Sequence, residues 1–259
     1  MPYTNRLLLS TALVSVLCLP TASFAATMHT DEMASASPTA KGEYCQTVTT
    51  RIQTLQTRFS TDQTTKQGNE SKENTHSQSY RASLDTKLTA NRSKSDAEQG
   101  QWFSKLETRK AASGVEASFE SSVLAAVAVK RATNDATTAA YRGKQDAAIA
   151  IRHSSINQAM AARNQAVLAA AQQAAMQCAA VGANSAVIRS TFKTAVSAAQ
   201  AAFKVADTTA WSTYTSTMKQ LQADRKTAET TNYATFKAAI TKASASYKSE
   251  PVSATSSTK

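Results

Sequence analysis

The sequence predicts an all-α protein, built as an elongated antiparallel bundle of about three long helices. Three observations predict it. Proline occurs only at positions 2, 20, 38 and 251, so from Pro38 to Pro251 no residue removes a helical N–H or clashes with the preceding turn. Glycine occurs only six times in 259 residues, while alanine, glutamine, lysine and arginine, all good helix formers, fill the chain. Apolar and aromatic residues recur at helical spacing, most visibly every 11 residues in the C-terminal third.

Taken in order, residues 1–25 have the pattern of a secretory signal peptide. Arg6 supplies the positive charge, Leu7 to Leu19 an apolar run ended by Pro20, and Ser23-Phe24-Ala25 the small residues that place cleavage between Ala25 and Ala26. The run is well short of the ~20 residues a spanning helix needs. Cys18 follows Leu17, not the small residue that precedes a lipid-modified cysteine. The expectation is an exported protein of periplasm, cell surface or extracellular space, with no transmembrane anchor after cleavage. Residues 26–42, small and polar with Pro38, read as a disordered lead-in, and 249–259 as a disordered tail.

The first helix is expected over about 43–112. It opens with a heptad seam, Cys45, Val48, Ile52, Leu55 and Phe59. Ser60 to Ser79 then contains no apolar residue, so this stretch is either a solvated loop or a helix with a polar seam. Tyr80 and Leu84 recur 22 residues later as Trp102 and Leu106. Ser113-Gly114 predicts a turn, and Gly182 a second, because glycine tolerates the backbone that ends a helix. The second helix falls over about 115–181. Asn184 or Ser185 can cap the third, over about 185–248. Each helix would be roughly 95–105 Å long at 1.5 Å per residue.

The third helix carries the strongest period. Phe192, Phe203, Tyr214, Arg225, Phe236 and Tyr247 are 11 residues apart, with one row of Val196, Asp207, Met218, Glu229 and Ile240 and another of Ala199, Ala210, Leu221, Asn232 and Ala243. The second helix repeats the period in Gln145, Ile156, Val167 and Cys178 and in Ile149, Met160 and Ala171. Eleven residues in three turns give a seam that runs nearly straight or slightly right-handed, and packing between long helices explains the rows. After cleavage two cysteines remain, Cys45 and Cys178, whose midpoint lies near residue 111, beside the first turn. An antiparallel pair folded there would bring them opposite each other, so a disulfide is the candidate and two buried thiols the alternative.

Charge is uneven. Residues 26–120 hold 12 basic and 12 acidic side chains, and 121–259 hold 16 and 6. Arg131, Arg142, Arg152 and Arg163, spaced 11, 10 and 11, fall near one side of the second helix, and Arg189, Lys193 and Lys204 extend the basic set. Two readings stay open. One is a stripe that binds a polyanion such as nucleic acid, anionic lipid or a cell-wall polymer. The other is a set of arginines flanking the seam and paired with the acids of the first helix.

No catalytic, cofactor-binding or metal-ligating constellation is legible. His29, His76 and His153 lie far apart, no CxxC exists, and no P-loop, GxGxxG or GxSxG is found. Asn69-Glu70-Ser71 and Asn91-Arg92-Ser93 match a glycosylation sequon, relevant only in a eukaryotic host.

Ala140-Tyr141-Arg142-Gly143 with Ala148-Ile149-Ala150-Ile151-Arg152, then Gln177-Cys178-Ala179-Ala180 with Arg189 and Phe192, and Asp224-Arg225-Lys226 give residues 105–245 a resemblance. The segment is similar to uncharacterised exported, alanine-rich, long-helix proteins of ultra-small candidate-phylum bacteria. That resemblance implies an exported, coiled-coil-like architecture and no activity. Export, helix length, periodicity and the absence of a legible site make the expected function that of a non-enzymatic cell-envelope or secreted structural and interaction protein, without cofactor or small-molecule substrate. An envelope component or anionic polymer is its expected partner, and homo-oligomers are an open expectation. The alternatives are a basic polyanion-binding module, a periplasmic holdase-type chaperone by fold analogy, and, on the short apolar run Val123 to Val129, a helical pore-former.

Overall fold

The structure, a computed structural model, describes residues 43–107 and 114–249, all within the unit Ala40–Lys259. The expected signal peptide, lead-in and tail (Ser249 apart) lie outside the described residues. Three helices make up the described part: α1 (Glu43–Glu107), α2 (Gly114–Cys178) and α3 (Ser185–Ser249), each of 65 residues. The all-α three-helix expectation holds, and among the described residues there is no strand.

Boundaries differ from expectation by a few residues, for local reasons. The second helix stops at Cys178, three residues early. Ala179 N–H still donates to the Ala175 carbonyl (3.2 Å), then Ala183 N–H reaches back only to Ala180 (3.3 Å). Gly182, at φ 75°, turns the chain where a side chain would be strained. Asn184 is the cap of α3: its Oδ1 accepts from the N–H groups of Ala186 (3.1 Å) and Val187 (3.2 Å). Gly114, expected in a turn, is instead the first residue of α2.

The apolar-free stretch Ser60–Ser79 is continuous helix. Three of its four threonines satisfy their hydroxyls within the helix, Thr61, Thr64 and Thr75 each donating to the carbonyl four residues earlier. Lys66 and Glu70 add an i,i+4 ion pair.

The helices run antiparallel in sequence order, and α2 and α3 keep one register along their length. Val123 packs with Ala243, and Asn232 donates to Asn134 Oδ1 across the interface (3.1 Å). In both pairs the residue numbers total 366. Continued in steps of 11, that alignment sets Ile156 against Ala210 and Val167 against Ala199, and all four are buried. The small row of α3 and the Val/Ile row of α2 are therefore the two sides of one seam, and alanine lets the backbones approach closely. The bundle is thin, and among the described residues no large side chain is completely enclosed.

The first helix packs differently. Its ends carry buried apolar residues: Tyr44, Val48, Leu55 and Phe59 at one, Phe103 at the other. Between them, over residues 60–102, Gln99 alone is buried. Cys45 and Cys178 stand at disulfide distance at the first of these ends, with Cα atoms 5.2 Å apart.

Candidate functional site

Two ladders of charged side chains organise the bundle. The first joins α1 to α2. Arg81 holds both oxygens of Asp146 (2.9 and 2.7 Å) and Arg142 both oxygens of Asp85 (2.9 and 2.6 Å). Arg92 does the same with Asp135, and Arg131 with Asp96. The numbers of each couple total 227. Each helix uses the same word twice, Arg-x-x-x-Asp: Arg81/Asp85 and Arg92/Asp96 on α1, Arg131/Asp135 and Arg142/Asp146 on α2. Antiparallel packing crosses the words, so every arginine meets an aspartate.

The ladder continues through Arg152, whose Nη2 reaches both oxygens of Glu73 (2.8 and 2.7 Å). Arg163 feels Asp62 electrostatically without an ion pair. The acids Asp96, Asp85, Glu73 and Asp62 are spaced 11, 12 and 11 against the arginines' 11, 10 and 11, so the short step on one helix meets the long step on the other.

These pairings set the carboxylates' protonation. Hydrogen bonds from Arg142, Arg131, Arg92 and Arg81 hold Asp85, Asp96, Asp135 and Asp146 below the usual carboxylate value. Burial works against the charge on Glu73, but Arg152 and His153 outweigh it, and its pKa is lowered too.

The second ladder joins α2 to α3. Arg163 lies over Phe203 (5.0 Å to the ring centre), Arg152 over Tyr214 (4.6 Å) and Lys130 Nζ over Phe236 (4.5 Å). Arg225 lies over Tyr141 (5.2 Å), and the rings of Phe119 and Tyr247 are 4.9 Å apart. Every pair totals 366. The α2 row is Phe119, Lys130, Tyr141, Arg152 and Arg163, again 11 residues apart. Where α3 replaces its aromatic by Arg225, α2 replaces its cation by Tyr141. This cation–aromatic ladder spans roughly 66 Å at 1.5 Å per residue.

Arg152 is the node where the ladders meet. It is 4 % exposed, faces Trp211 (4.4 Å) as well as Tyr214, and holds Glu73 on its other side. His153 Nε2 lies 2.6 Å from Arg152 Nη2 and 3.1 Å from Glu73 Oε2, so it can accept from the arginine or donate to the carboxylate. Arg163, also 4 % exposed, sits between Phe59 and Phe203 and donates to Asn164 Oδ1, and burial lowers its pKa. Burial, then Arg131, likewise holds Lys130 below the ordinary lysine value.

The candidate basic residues thus fall into two groups. Arg131, Arg142 and Arg152 are ion-paired to α1, and Arg163 is packed under phenyl rings. Arg189 is half-buried, with its charge felt at the Tyr44 hydroxyl. Lys193 and Lys204 are exposed. They belong to a longer set that the sequence reading stopped short of: all seven lysines of α3, adding Lys219, Lys226, Lys237, Lys242 and Lys248, are exposed. Extending the step of 11 from Lys193 and Lys204 would have found Lys226, Lys237 and Lys248. Extending it from Arg163 and Arg152 would have found Tyr141, Lys130 and Phe119.

Near the far end of the same seam, an open groove of about 540 Å³ is lined by Val129, Lys130, Phe236, Lys242 and Ala243 among others. Among the described residues no group of three His, Cys, Asp or Glu side chains could hold a metal, and no helix is long and apolar enough to cross a membrane. The fold and its ladders define a class, the three-helix all-α bundle. No family model, curated protein or solved structure matches the chain.

Proposed function

We propose that this is a non-enzymatic structural and interaction protein, exported to the cell envelope or beyond, whose coiled-coil-like helices act as a spacer or binding platform. The observation that carries the reading is the unbroken 366 register of α2 and α3. Charged and aromatic side chains that could line a reaction site are instead consumed, rung by rung, in holding two long helices in one alignment. In the same reading Cys45 and Cys178 are bonded and clamp the first end of α1.

The test is hydrodynamic. The protein beginning at Ala26 should scatter as a rod with a maximum dimension of about 100 Å, from helices of 65 residues, and protein collected outside the cell should begin at Ala26. A compact particle of half that length, or turnover of any substrate, would refute the proposal.

A second reading, a polyanion-binding module, is favoured by one observation: the seven lysines of α3 are exposed, and among the described residues none is within ion-pair distance of a carboxylate. Salt-insensitive binding to polyphosphate would exclude it.

A further inference from the structure

The ladder cations of α2 and the lysines of α3 do different work, and position separates them. The cations of α2 in the two ladders, from Lys130 to Arg163, are turned inward, onto the carboxylates of α1 or the rings of α3. The lysines of α3 are turned outward. Five of them keep the bundle's own period: Lys193, Lys204, Lys226, Lys237 and Lys248 are 11 residues apart, with the step at Thr215 filled one turn later by Lys219.

Each follows by one residue a member of the row Phe192, Phe203, Tyr214, Arg225, Phe236 and Tyr247 that faces the bundle. One residue is a rotation of about 100° around a helix. A row straight enough to keep its rungs against α2 therefore carries a parallel row of ammonium groups beside it, facing solvent. The row is roughly 82 Å long, with about 16.5 Å between successive charges except across Thr215, where the gap is about 33 Å. The acids of α3 leave it unneutralised. Glu229 pairs with Arg225, Asp224 accepts from Gln220, and Asp207 is half-buried.

We propose that this face of α3 is a docking surface for an anionic lipid bilayer, on which the bundle lies flat. The proposal rests on the polyanion-binding reading and names its partner. The argument is geometric. At about 3.67 residues per turn, five lysines at multiples of 11 stay on nearly one side of α3, so a broad surface laid along the bundle can meet them together. A bilayer offers anionic headgroups continuously over such a surface. A flexible polyanion would have to be straightened along ~82 Å to reach the same lysines, at a cost in chain entropy. A duplex nucleic acid winds its phosphates around a cylinder and meets a straight line only where its strands cross.

No large apolar ridge accompanies the lysine row, so binding is electrostatic and peripheral. It should weaken as the Debye length shrinks from about 10 Å at 0.1 M salt toward 3 Å at 1 M.

The experiment is co-sedimentation of the intact protein with vesicles of phosphatidylglycerol and phosphatidylcholine, and of phosphatidylcholine alone, at low and at 0.5 M salt. Lys226→Gln/Lys237→Gln/Lys248→Gln removes three charges from the row at exposed positions. Lys72→Gln/Lys87→Gln/Lys144→Gln removes three exposed charges elsewhere, and circular dichroism confirms that both variants remain helical.

The expected result is binding to the anionic vesicles only, abolished at 0.5 M salt. The row variant should fall roughly 100-fold, about five-fold per lysine near an anionic surface, and the off-row variant much less. Equal losses in the two variants would overturn the row in favour of net charge, and binding that survives high salt would overturn peripheral docking. Duplex DNA and polyphosphate form the separating arm. If they bind through the same lysines and the vesicles do not, the bilayer is wrong and the polyanion reading stands. If nothing binds, both fail.

Discussion

The inverted rung at Tyr141 and Arg225 allows a strict test of the second ladder. The perturbation is an exchange: Tyr141→Arg, Arg225→Tyr, and both together. In the native rung Arg225 lies 5.2 Å from the Tyr141 ring centre while its Nε holds Glu229 (2.7 Å). Tyr141→Arg sets two guanidinium groups at that distance and removes the ring. A half-exposed cation–aromatic contact is worth about 1 kcal/mol. Repulsion between two unit charges about 5 Å apart adds on the order of 1 kcal/mol once solvent screening is allowed for. The single variant should therefore lose about 2 kcal/mol. Arg225→Tyr loses the contact and the Glu229 ion pair without creating repulsion, about 1 kcal/mol. The double variant rebuilds the rung in the orientation already used by Arg152 with Tyr214 and Arg163 with Phe203. It should recover about 2–3 kcal/mol of the summed losses, leaving only the loss of the Glu229 pair, a coupling within the range expected of groups in contact. Loss of Glu229's partner is common to one single variant and the double, so it cancels from the cycle. Urea unfolding followed at 222 nm measures all four proteins. Strict additivity, or a Tyr141→Arg protein as stable as the parent, would show that the rungs are incidental neighbours.

Other outcomes follow from the same geometry. Because Asp85, Asp96, Asp135, Asp146 and Glu73 have folded pKa values below their unfolded ones, their stabilisation is complete above the ordinary carboxylate range of about 4 and is lost as pH falls through the lowered values. Amide exchange in residues 60–100 should accelerate in acid below that range, before exchange in the α2–α3 seam, and simultaneous melting of both would contradict it. Arg–Asp couples this exposed contribute little to global stability, so Asp85→Asn with Asp96→Asn should free the middle of α1 in a limited-proteolysis assay while barely moving the unfolding midpoint. Cys45→Ser should destabilise by about 4–5 kcal/mol by opening the 133-residue loop, and an unchanged unfolding midpoint, with two free thiols by mass in the parent protein, would reject the bond. Asn184→Ala removes the acceptor for two N–H groups at the start of α3 and should cost about 1 kcal/mol in the same urea assay.

What the sequence made legible were features that repeat along one helix. The absence of internal proline, the glycine stop at Gly182 and the rows of α3 were sufficient for three long helices. The Cys45–Cys178 juxtaposition followed from the same lengths. What was not legible was anything that depends on which rows face each other. Along α3 alone, Arg225 is one non-aromatic member of an aromatic row, and the four arginines of α2 could be read either as a binding stripe or as partners of α1. Only the alignment of α2 with α3 turns Arg225 and Tyr141 into one inverted rung, and only that of α1 with α2 crosses the four Arg-x-x-x-Asp words. The helical state of Ser60–Ser79 was undecidable for a related reason. With no apolar period to read, its conformation depends on Glu70 and Glu73 meeting Asn157 and Arg152 from another helix.

The inverted rung also bears on how such a sequence selects one structure. Alanine-rich seams with a fixed period are prone to slip, because a shift of 11 residues returns nearly the same surfaces to each other. Moving α3 by 11 in one direction would set Arg225 against Arg152, and in the other against Lys130. Either shift also strips Asn232 of Asn134, placing Leu221 or Ala243 opposite a part-buried amide. A uniform ladder, with every cation on α2 and every aromatic on α3, would tolerate both shifts at all but its last rung. The α1–α2 ladder is less selective: after the same shift Arg92 still finds Asp146 and Asp96 still finds Arg142 in one direction, and two couples survive in the other. The register of the bundle is therefore set mainly between α2 and α3, by the one rung and the one amide pair that break the repeat. Polar groups at single seam positions fix alignment in coiled coils by the same logic, at some cost in stability.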